Sequence, residues 1–221
     1  MKVAVMADGE WDYLWGRNEL ETQKIDVLIC ADGGANLAIS SGRIPDVLVG
    51  DLDSITTDNL SKCLENETKI IKYPAEKDQT DLELALDFAQ NYLESHGQPE
   101  NTILLYAAGG KRLDHLLGNV AIMLGAAQNK RTVIMTDKSY LAWIMLPGRE
   151  TINATVGQLL SIIPLSEKAV VCSRGLYYEL NHLTLWQNSA RGVSNILRES
   201  KVELEVRQGN ILVILFDKRH D

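Results

Sequence analysis

Short apolar runs with the composition of β-strands alternate with helical patterns over the first 138 residues of this 221-residue chain. The runs lie at Val3–Ala7, Asp26–Cys30, Val47–Gly50, Lys69–Tyr73, Thr102–Ala107 and Thr132–Thr136. The clearest helical pattern places apolar residues at three- and four-residue spacing from Leu82 to Leu93, and a second pattern follows Arg112. Because parallel strands need crossover connections, this alternation predicts an α/β domain with a mostly parallel sheet.

The last part of the chain has strand-like runs but no convincing amphipathic helix. The runs lie at Tyr140–Leu146, Gln158–Pro164, Lys168–Cys172, Val202–Arg207 and Ile211–Phe216. The turn-like residues Gln208, Gly209 and Asn210 predict a hairpin between the last two runs, and Val193–Arg198 has room for a single helical turn. We therefore expect an α/β domain over residues 1–138, followed by a smaller all-β sandwich domain over residues 139–221. The alternative boundary lies near Pro147 and Gly148, if Tyr140–Leu146 belongs to the first domain.

Composition and charge restrict the classes of protein to which the chain can belong. The formal net charge is −8, and hydrophobic and charged residues make up 45% and 24%, as in a soluble globular protein. The acidic balance argues against general nucleic-acid binding, because such binding needs clustered lysine and arginine. A nucleotide substrate stays open, since a bound Mg²⁺ can mediate between acidic side chains and phosphate.

Cysteine usage and hydropathy predict a cytoplasmic protein without a membrane partner. Cys30, Cys63 and Cys172 are widely spaced and form no metal-binding motif, which fits a reducing compartment without structural zinc. The longest unbroken apolar run, Tyr140–Pro147, is far too short to span a bilayer. The apolar run before Asp8 is likewise too short for a signal peptide.

Four polar segments follow strands or strand-like runs of the first domain. Ligands of open parallel sheets bind beyond the carboxyl ends of the strands, so the fold would gather these segments on one rim. In the first segment, which follows the strand ending at Cys30, the candidate nucleotide-binding residues are Asp32, Gly33, Gly34 and Asn36. A glycine pair before a helix lets the backbone approach a phosphate, although a plain turn also explains these residues.

The second segment carries two carboxylates. Asp51 and Asp53 follow the run Val47–Gly50 and can converge on one cation. Mg²⁺ prefers one or two carboxylates together with substrate phosphates, so the pair is a candidate magnesium site. A solvated acidic turn with a helix cap is the alternative.

The third segment precedes the clearest helix. Thr80 and Glu83 have capping-box spacing, which predicts that Thr80 is the N-cap. The cap does not account for Asp78 and Asp81, although aspartate in a first helical turn is also favoured by the helix dipole. Their positions, with Gln79 between them, suit a second pair of groups at a metal or phosphate site.

The fourth segment is basic and follows the strand Thr102–Ala107. Lys111 and Arg112 place positive charge at a helix start, where the helix dipole favours acids, and arginine can grip phosphate with two hydrogen bonds. Asp114 and His115 can orient Arg112 or reach a metal, while a helix entry with a surface histidine is the alternative. The chain contains neither the GxxxxGK[ST] motif nor GxGxxG, so a P-loop protein is excluded.

Together, the four segments match magnesium-assisted chemistry on a polyphosphate, in which the protein positions groups and neutralises charge. The order of ADGGAN, PDVLVGDLDSI, KDQTDLELAL and GGKRLDH resembles the thiamine pyrophosphokinase family. The later segments Gly175–Tyr178 and Arg191–Asn195 are similar to that family's thiamine-side motifs. The resemblance extends from Asp32 to Asn195, which is nearly the whole chain.

The resemblance implies an activity and a set of residues. The family works as a homodimer and transfers the pyrophosphoryl group of ATP to the hydroxyl of thiamine, giving thiamine diphosphate and AMP. By this resemblance Mg²⁺ is held by Asp51, Asp53 and Asp81. The polar loop near the phosphates comprises Asp78, Gln79 and Thr80, and the nucleotide-side element contains Arg112 and Asp114, with Lys111 beside it. Our candidate catalytic residues are Asp78, Asp81 and Arg112. The sequence leaves open which of Asp51, Asp78 and Asp81 accepts the hydroxyl proton.

By the same resemblance, thiamine lies at the dimer interface against Tyr178, Ser194 and Asn195. Family members often carry tryptophan at position 178, with lysine and proline on either side, where this chain has Tyr177 and Glu179. Stacking on a thiamine ring is possible with tyrosine as well. The rival hypotheses are another metal-dependent nucleotide hydrolase or transferase, and a nucleotide sensor that binds without turnover.

Overall fold

The structure, a computed structural model, describes residues 1–98 and 101–217. The chain divides into two compact units, Met1–Lys138 and Ser139–Asp221. The first unit is α/β and the second is built from β-strands, so the predicted fold class is confirmed.

Among the described residues, the first unit has six adjacent strands, and every neighbouring pair of them is parallel. The order across the sheet is β6-β5-β1-β2-β3-β4. The central strands are fully buried, which explains why they read as unbroken apolar runs. Their bounds are β1 (Val3–Met6), β2 (Val27–Ala31), β3 (Val47–Gly50), β4 (Lys69–Lys72), β5 (Ile103–Tyr106) and β6 (Val133–Thr136).

The described residues of this unit form five helices: α1 (Tyr13–Thr22), α2 (Gly34–Ser40), α3 (Thr57–Glu65), α4 (Asp81–Ser95) and α5 (Leu113–Gln128). Helix α4 begins where the sequence predicts, because Thr80 and Glu83 form a complete capping box. Its apolar face is buried through Leu82, Leu86 and Leu93. Both helices predicted from the sequence are thereby confirmed, whereas α1, α2 and α3 were not singled out.

The strand order reverses next to β1. The chain runs outward from β1 through β2 and β3 to β4, and then returns to place β5 on the other side of β1. A crevice at such a switch point is where open α/β sheets bind ligands. The loops that follow β1 and β5 are tied together there, since Gly9 N–H donates to Ala107 O at 2.7 Å.

An aromatic cluster fixes the segment between β1 and α1. The Trp11 indole packs edge-on against Trp15 and Tyr106, and its Nε1–H donates to Ser41 Oγ at 2.9 Å. The Asp12 carboxylate caps α1 by accepting from Trp15 N–H. Packing and capping therefore account for the tryptophan-rich stretch after β1.

In the part of the second unit that the structure describes, the strands lie in two sheets that share one hydrophobic core. One sheet has the order β12-β9-β14-β7, and the other has the order β11-β10-β13-β8. Leu160 and Val213 of the first sheet and Val171 and Leu204 of the second lie in the same buried cluster. The bounds are β7 (Tyr140–Met145), β8 (Gly148–Asn153), β9 (Leu159–Pro164), β10 (Lys168–Arg174), β11 (Leu183–Trp186), β12 (Asn195–Ile196), β13 (Lys201–Gln208) and β14 (Ile211–Phe216).

Two local predictions for this unit are wrong. The last two strands do not form a hairpin, because β13 pairs with β8 and β10 whereas β14 pairs with β7 and β9. The turn between β13 and β14 is hydrogen-bonded to the turn between β9 and β10, where Asn210 N–H donates to Ser166 Oγ at 2.8 Å. The expected helical turn at Val193–Arg198 contains the short strand β12 instead, paired with β9.

Candidate active site

A cleft of about 700 Å³ lies at the carboxyl ends of the central strands of the first unit. All four polar segments predicted from the sequence contribute to it. The predicted residues in its lining are Asp32, Gly33, Asp51, Gln79, Thr80, Asp81, Lys111, Arg112 and Asp114. The cleft occupies the switch point between β1 and β5, as expected for a ligand site in such a sheet.

Asp8 and Gly9, directly after β1, also line the cleft but were not among the predicted site residues. The rule that found the other segments, polar residues following a strand, applies equally to them. Lys111 Nζ lies 3.5 Å from the Asp8 carboxylate. A Cβ on Gly33 would lie 2.8 Å from Asp8 Cγ, so a side chain at position 33 would displace the Asp8 carboxylate.

Three carboxylates converge at the ends of β2 and β3. One oxygen from each of Asp32, Asp51 and Asp53 lies within 4.8 Å of the others. The loop after β3 brings them together, because Asp53 N–H donates to Asp51 Oδ1 at 3.2 Å and Ser54 N–H donates to Asp32 Oδ2 at 3.1 Å. Asp32, predicted from the sequence as a nucleotide-side residue, is thus also a member of the acidic group.

The three carboxylates differ in their environment. Asp32 is 5% exposed, and its burial raises the pKa of its carboxyl, an effect that hydrogen bonds from Ser54 partly offset. The hydroxyl of Ser54 also donates to Asp53 at 2.8 Å, and this bond lowers the pKa of the exposed Asp53. A cation bound here would therefore meet ionised carboxylate at Asp53 and would relieve the unfavourable burial of charge at Asp32.

Asp81 lies beside this group but is paired with a lysine. Lys77 Nζ lies 3.0 Å from Asp81 Oδ1 and 3.6 Å from Asp51 Oδ2. Desolvation lowers the pKa of Lys77, but the two carboxylates outweigh it and raise that pKa above its ordinary value. Asp81 Oδ1 is buried and, among the described residues, receives no hydrogen bond of good geometry. Gly50 makes the close packing possible, since a Cβ there would lie 3.1 Å from that oxygen.

The start of α4 presents polar groups to the same cleft. The Thr80 oxygen is the helix cap, and Gln79 donates from Nε2 to Asp87 Oδ2 at 3.1 Å. Both residues line the cleft. Asp78 is exposed and stands in the chain between two cleft-lining residues, Lys77 and Gln79.

In the basic loop after β5, the Arg112 guanidinium is paired with Asp114 at the rim of the cleft. Arg112 donates from Nε to Asp114 Oδ1 at 3.1 Å, and the pair lowers the pKa of the Asp114 carboxyl to about 2. Both side chains are more than 60% exposed. Asn119 on α5 anchors the loop from below by donating to Ala108 O at 2.7 Å. The cations of this loop are therefore held in place yet accessible to a charged ligand.

Two predicted nucleotide-side residues have packing roles in the structure. A Cβ on Gly34 would lie 2.2 Å from Met6 O, so this glycine lets α2 pack against β1. Asn36 joins α2 to the start of α3, because its Nδ2 donates to Ser54 O and its Oδ1 accepts from Thr56 N–H. Gly34 and Asn36 thus shape the loop that carries the acidic group, and neither lines the cleft as the structure describes it.

The residues that the resemblance assigns to thiamine lie in the second unit. Tyr178 is 64% exposed, and its ring packs edge-on against Tyr177 at 4.8 Å between centroids. Asn195 is buried, and its amide is occupied by the Tyr178 backbone: Oδ1 accepts from Tyr178 N–H at 3.0 Å, and Nδ2 donates to Tyr178 O at 2.8 Å. Ser194 is exposed, with a φ of +60° and its N–H bonded to Ser161 Oγ.

The family models match the two units separately. The model of the thiamin pyrophosphokinase catalytic domain matches residues 19–135, and the model of the thiamin pyrophosphokinase vitamin B1 binding domain matches residues 149–211. The first match covers more than half of the chain.

Relatives extend over both units. The thiamine pyrophosphokinase of Bacillus subtilis is 31% identical over 195 residues, which is 87% of this chain and 88% of that protein. A crystal structure of thiamine pyrophosphokinase from Bacillus subtilis matches with a TM-score of 0.82 and 28% identity, covering 98% of this chain and 99% of the other. The thiamin pyrophosphokinase from Geobacillus thermodenitrificans matches with a TM-score of 0.81 and 26% identity, covering 100% and 99%. The chain therefore belongs to the thiamine pyrophosphokinase family.

Proposed function

We propose that the chain transfers the pyrophosphoryl group of ATP to the hydroxyl of thiamine, producing thiamine diphosphate and AMP. The observation that carries this proposal is the cleft at the switch point, whose lining combines clustered carboxylates with lysine and arginine side chains. Family membership supports the choice of ATP and thiamine as substrates. In the reaction the hydroxyl oxygen bonds to the β-phosphorus as the bond to AMP breaks, and the hydroxyl proton is released.

The acidic group fits magnesium. Its ligands would be Asp51, Asp53 and Asp81, as the sequence suggests, together with Asp32. Carboxylate oxygens are the ligands that Mg²⁺ prefers. The buried Asp81 Oδ1 accepts no well-aligned hydrogen bond among the described residues, so it is available to bind a cation. When bound, Mg²⁺ would offset the negative charge that develops on departing AMP.

The side chains of the basic loop bind the phosphates in this proposal. Arg112 is exposed at the rim and can exchange its bonds to Asp114 for a bidentate grip on phosphate oxygens. Lys111 adds a second positive charge beside Asp8. Gly33 leaves room for the polyphosphate to approach the backbone, while Gln79 and Thr80 contribute polar groups across the cleft.

The catalytic set that we propose is Asp78, Asp81 and Arg112. Asp78 is exposed next to the cleft-lining Gln79, so its carboxylate is available to accept the hydroxyl proton. Asp81 is a poorer base when it holds a cation, and its contribution is to position the phosphates. Because the barrier is lowered mainly by positioning and charge neutralisation, strong base catalysis is not required.

Thiamine would stack on the exposed ring of Tyr178, beside Ser194 and the loop held by Asn195. We further propose that the protein is a homodimer with thiamine at the interface, and that it is cytoplasmic. The three free cysteines agree with a reducing compartment. No helix in the described ranges, 1–98 and 101–217, is long and apolar enough to cross a membrane.

One experiment tests the proposed function. Purified protein is mixed with ATP, Mg²⁺ and thiamine, and the products are identified by mass spectrometry. Thiamine diphosphate and AMP formed in equal amounts support the proposal. Phosphate or pyrophosphate released without thiamine would instead indicate a nucleotide hydrolase, and ATP binding without turnover would indicate a sensor. The oligomeric state is measured on the same sample by light scattering.

A further inference from the structure

We infer that Glu179 is a positioning residue that holds Tyr178 ready to bind the thiamine ring; the inference rests on the proposed function. Its carboxylate reaches back along its own loop. Oε1 accepts from Gly175 N–H at 2.7 Å and from Leu176 N–H at 3.2 Å, and Oε2 accepts from Ser173 Oγ at 3.0 Å. One side chain thus closes the loop on which Tyr178 stands.

The Ser173 hydroxyl extends this closure to the far end of the loop. While it donates to Glu179, its oxygen accepts from Leu180 N–H at 2.9 Å. Ser173 N–H in turn donates to Leu180 O at 2.8 Å. The two ends of the loop, at the end of β10 and at Leu180, are therefore joined through Glu179 and Ser173.

Buried leucines fix the loop to the core on both sides of the tyrosines. Leu176 is 1% exposed and Leu180 is 7% exposed, and both belong to the core of the second unit. Leu176 also forms an isolated bridge to Leu197. With these two anchors buried, the intervening Tyr177 and Tyr178 are directed toward solvent.

The two tyrosines are themselves held from the side. The Arg198 guanidinium lies 4.4 Å from the centroid of the Tyr177 ring, and Tyr177 packs edge-on against Tyr178. Asn195 binds both the N–H and the C=O of Tyr178. Glu179 supplies a further restraint, because without it the amides of Gly175 and Leu176 lose the side-chain acceptor that they share.

When a loop is already ordered before a ligand binds, less conformational entropy is lost on binding. Replacing Glu179 should therefore weaken thiamine binding while leaving the nucleotide cleft, which lies in the first unit, unchanged. We expect Glu179→Ala to raise the KM for thiamine about three- to tenfold, with kcat and the KM for Mg·ATP within about twofold of the original values. Glu167→Gln, an exposed carboxylate in the β9–β10 turn, is the matched control.

The test combines steady-state kinetics, thiamine titration by calorimetry, and hydrogen exchange. Faster exchange at the amides of Gly175 and Leu176, together with a selective rise in the thiamine KM, is the expected result. An unchanged thiamine KM, or equal rises in both KM values, overturns the inference. If Glu179→Ala does not fold, Ser173→Ala removes one link of the same closure and should give a smaller change in the same direction.

The outcomes separate the inference from the proposed function. If the unsubstituted protein binds no thiamine, both the proposed function and the role of Glu179 are overturned. An original protein that binds and converts thiamine, with Glu179→Ala and Ser173→Ala indistinguishable from it, overturns the role of Glu179 alone.

Discussion

Lys77 places its ammonium nitrogen 3.0 Å from Oδ1 of Asp81, on the buried side of the cleft. The same nitrogen lies 3.6 Å from Asp51 Oδ2, so one tethered cation links the loop before α4 to the acidic loop after β3. A divalent ion bound by these carboxylates must compete with the lysine for them. Lys77 therefore influences how tightly the protein alone binds metal.

Replacing Lys77 with glutamine should strengthen the binding of a divalent ion in the absence of nucleotide. Removal of the competing charge leaves Asp51 and Asp81 without their cation, and we expect Mn²⁺ to bind about tenfold more tightly. Titration followed by electron paramagnetic resonance measures this affinity. Lys62→Gln on α3 is the control, and weaker or unchanged Mn²⁺ binding by Lys77→Gln would show that the lysine does not compete.

Gly50 should tolerate no side chain. Its φ is +150°, and a Cβ would lie 3.0 Å from Asp32 Cβ and 3.1 Å from Asp81 Oδ1. Gly97 also has a positive φ, of +68°, but no atom within 4 Å of its Cβ position. We expect Gly50→Ala to lower the free energy of unfolding by about 3 kcal/mol and Gly97→Ala by about 1 kcal/mol.

Urea denaturation of Gly50→Ala and Gly97→Ala measures how much each substitution lowers the free energy of unfolding. Gly50→Ala should also weaken Mn²⁺ binding, because the new methyl group separates Asp32 from Asp81, whereas Gly97→Ala should not. Equal losses of stability in the two variants would mean that the crowding at position 50 is unimportant.

The pairing of Arg112 with Asp114 predicts an unusual titration. The guanidinium lowers the pKa of the Asp114 carboxyl to about 2, so this carboxylate stays ionised at a pH at which an aspartate with the ordinary pKa is protonated. Because the pKa is lowered in the folded state, the stabilising effect of the pair is present above the ordinary aspartate pKa and is lost as the pH falls toward 2.

Carbon-13 NMR of the Asp114 side chain follows this titration. In Arg112→Gln the pKa should return toward its ordinary value, while Arg43→Gln, which removes a different aspartate partner, should leave Asp114 unchanged. An Asp114 pKa that does not depend on Arg112 would contradict the pairing.

Sequence periodicity was sufficient to predict the parallel sheet, because β1, β2 and β3 are buried on both faces and therefore appear as continuous apolar runs. It failed for β8, whose residues Gly148–Asn153 are mostly exposed and polar, and for the two-residue β12. The predicted hairpin was wrong because a turn sequence specifies a change of direction but does not specify which sheet each flanking strand joins.

The candidate site was predicted in outline for a similar reason. Strand ends are visible in the sequence, and parallel strands bring their carboxyl ends to one edge, so Asp51 and Arg112 could be placed near the same cleft. Long-range partners are not visible in this way. The contact of Lys77 with two carboxylates and the packing of Asp8 against Gly33 depend on the folded positions of separate loops.

Asp81→Asn tests the aspartate that lies beside the acidic group with its Oδ1 buried. Asparagine has nearly the same shape but no charge, so it should weaken both the Lys77 pair and cation binding. We expect Mg²⁺-dependent AMP formation to fall about 100-fold or more. Circular dichroism controls for folding, and near-normal turnover in a folded variant would reject a metal role for Asp81.

The most direct test concerns Asp51, which belongs to the converging carboxylates and also contacts Lys77. Thiamine-dependent AMP formation is measured for the original protein, for Asp51→Asn, and for Asp58→Asn in the first turn of α3 as the control. The original protein and Asp58→Asn should form AMP and thiamine diphosphate in equal amounts, whereas Asp51→Asn should lose about 100-fold or more of this activity. Undiminished AMP formation by Asp51→Asn would contradict the proposal that these aspartates hold the cation that carries the polyphosphate.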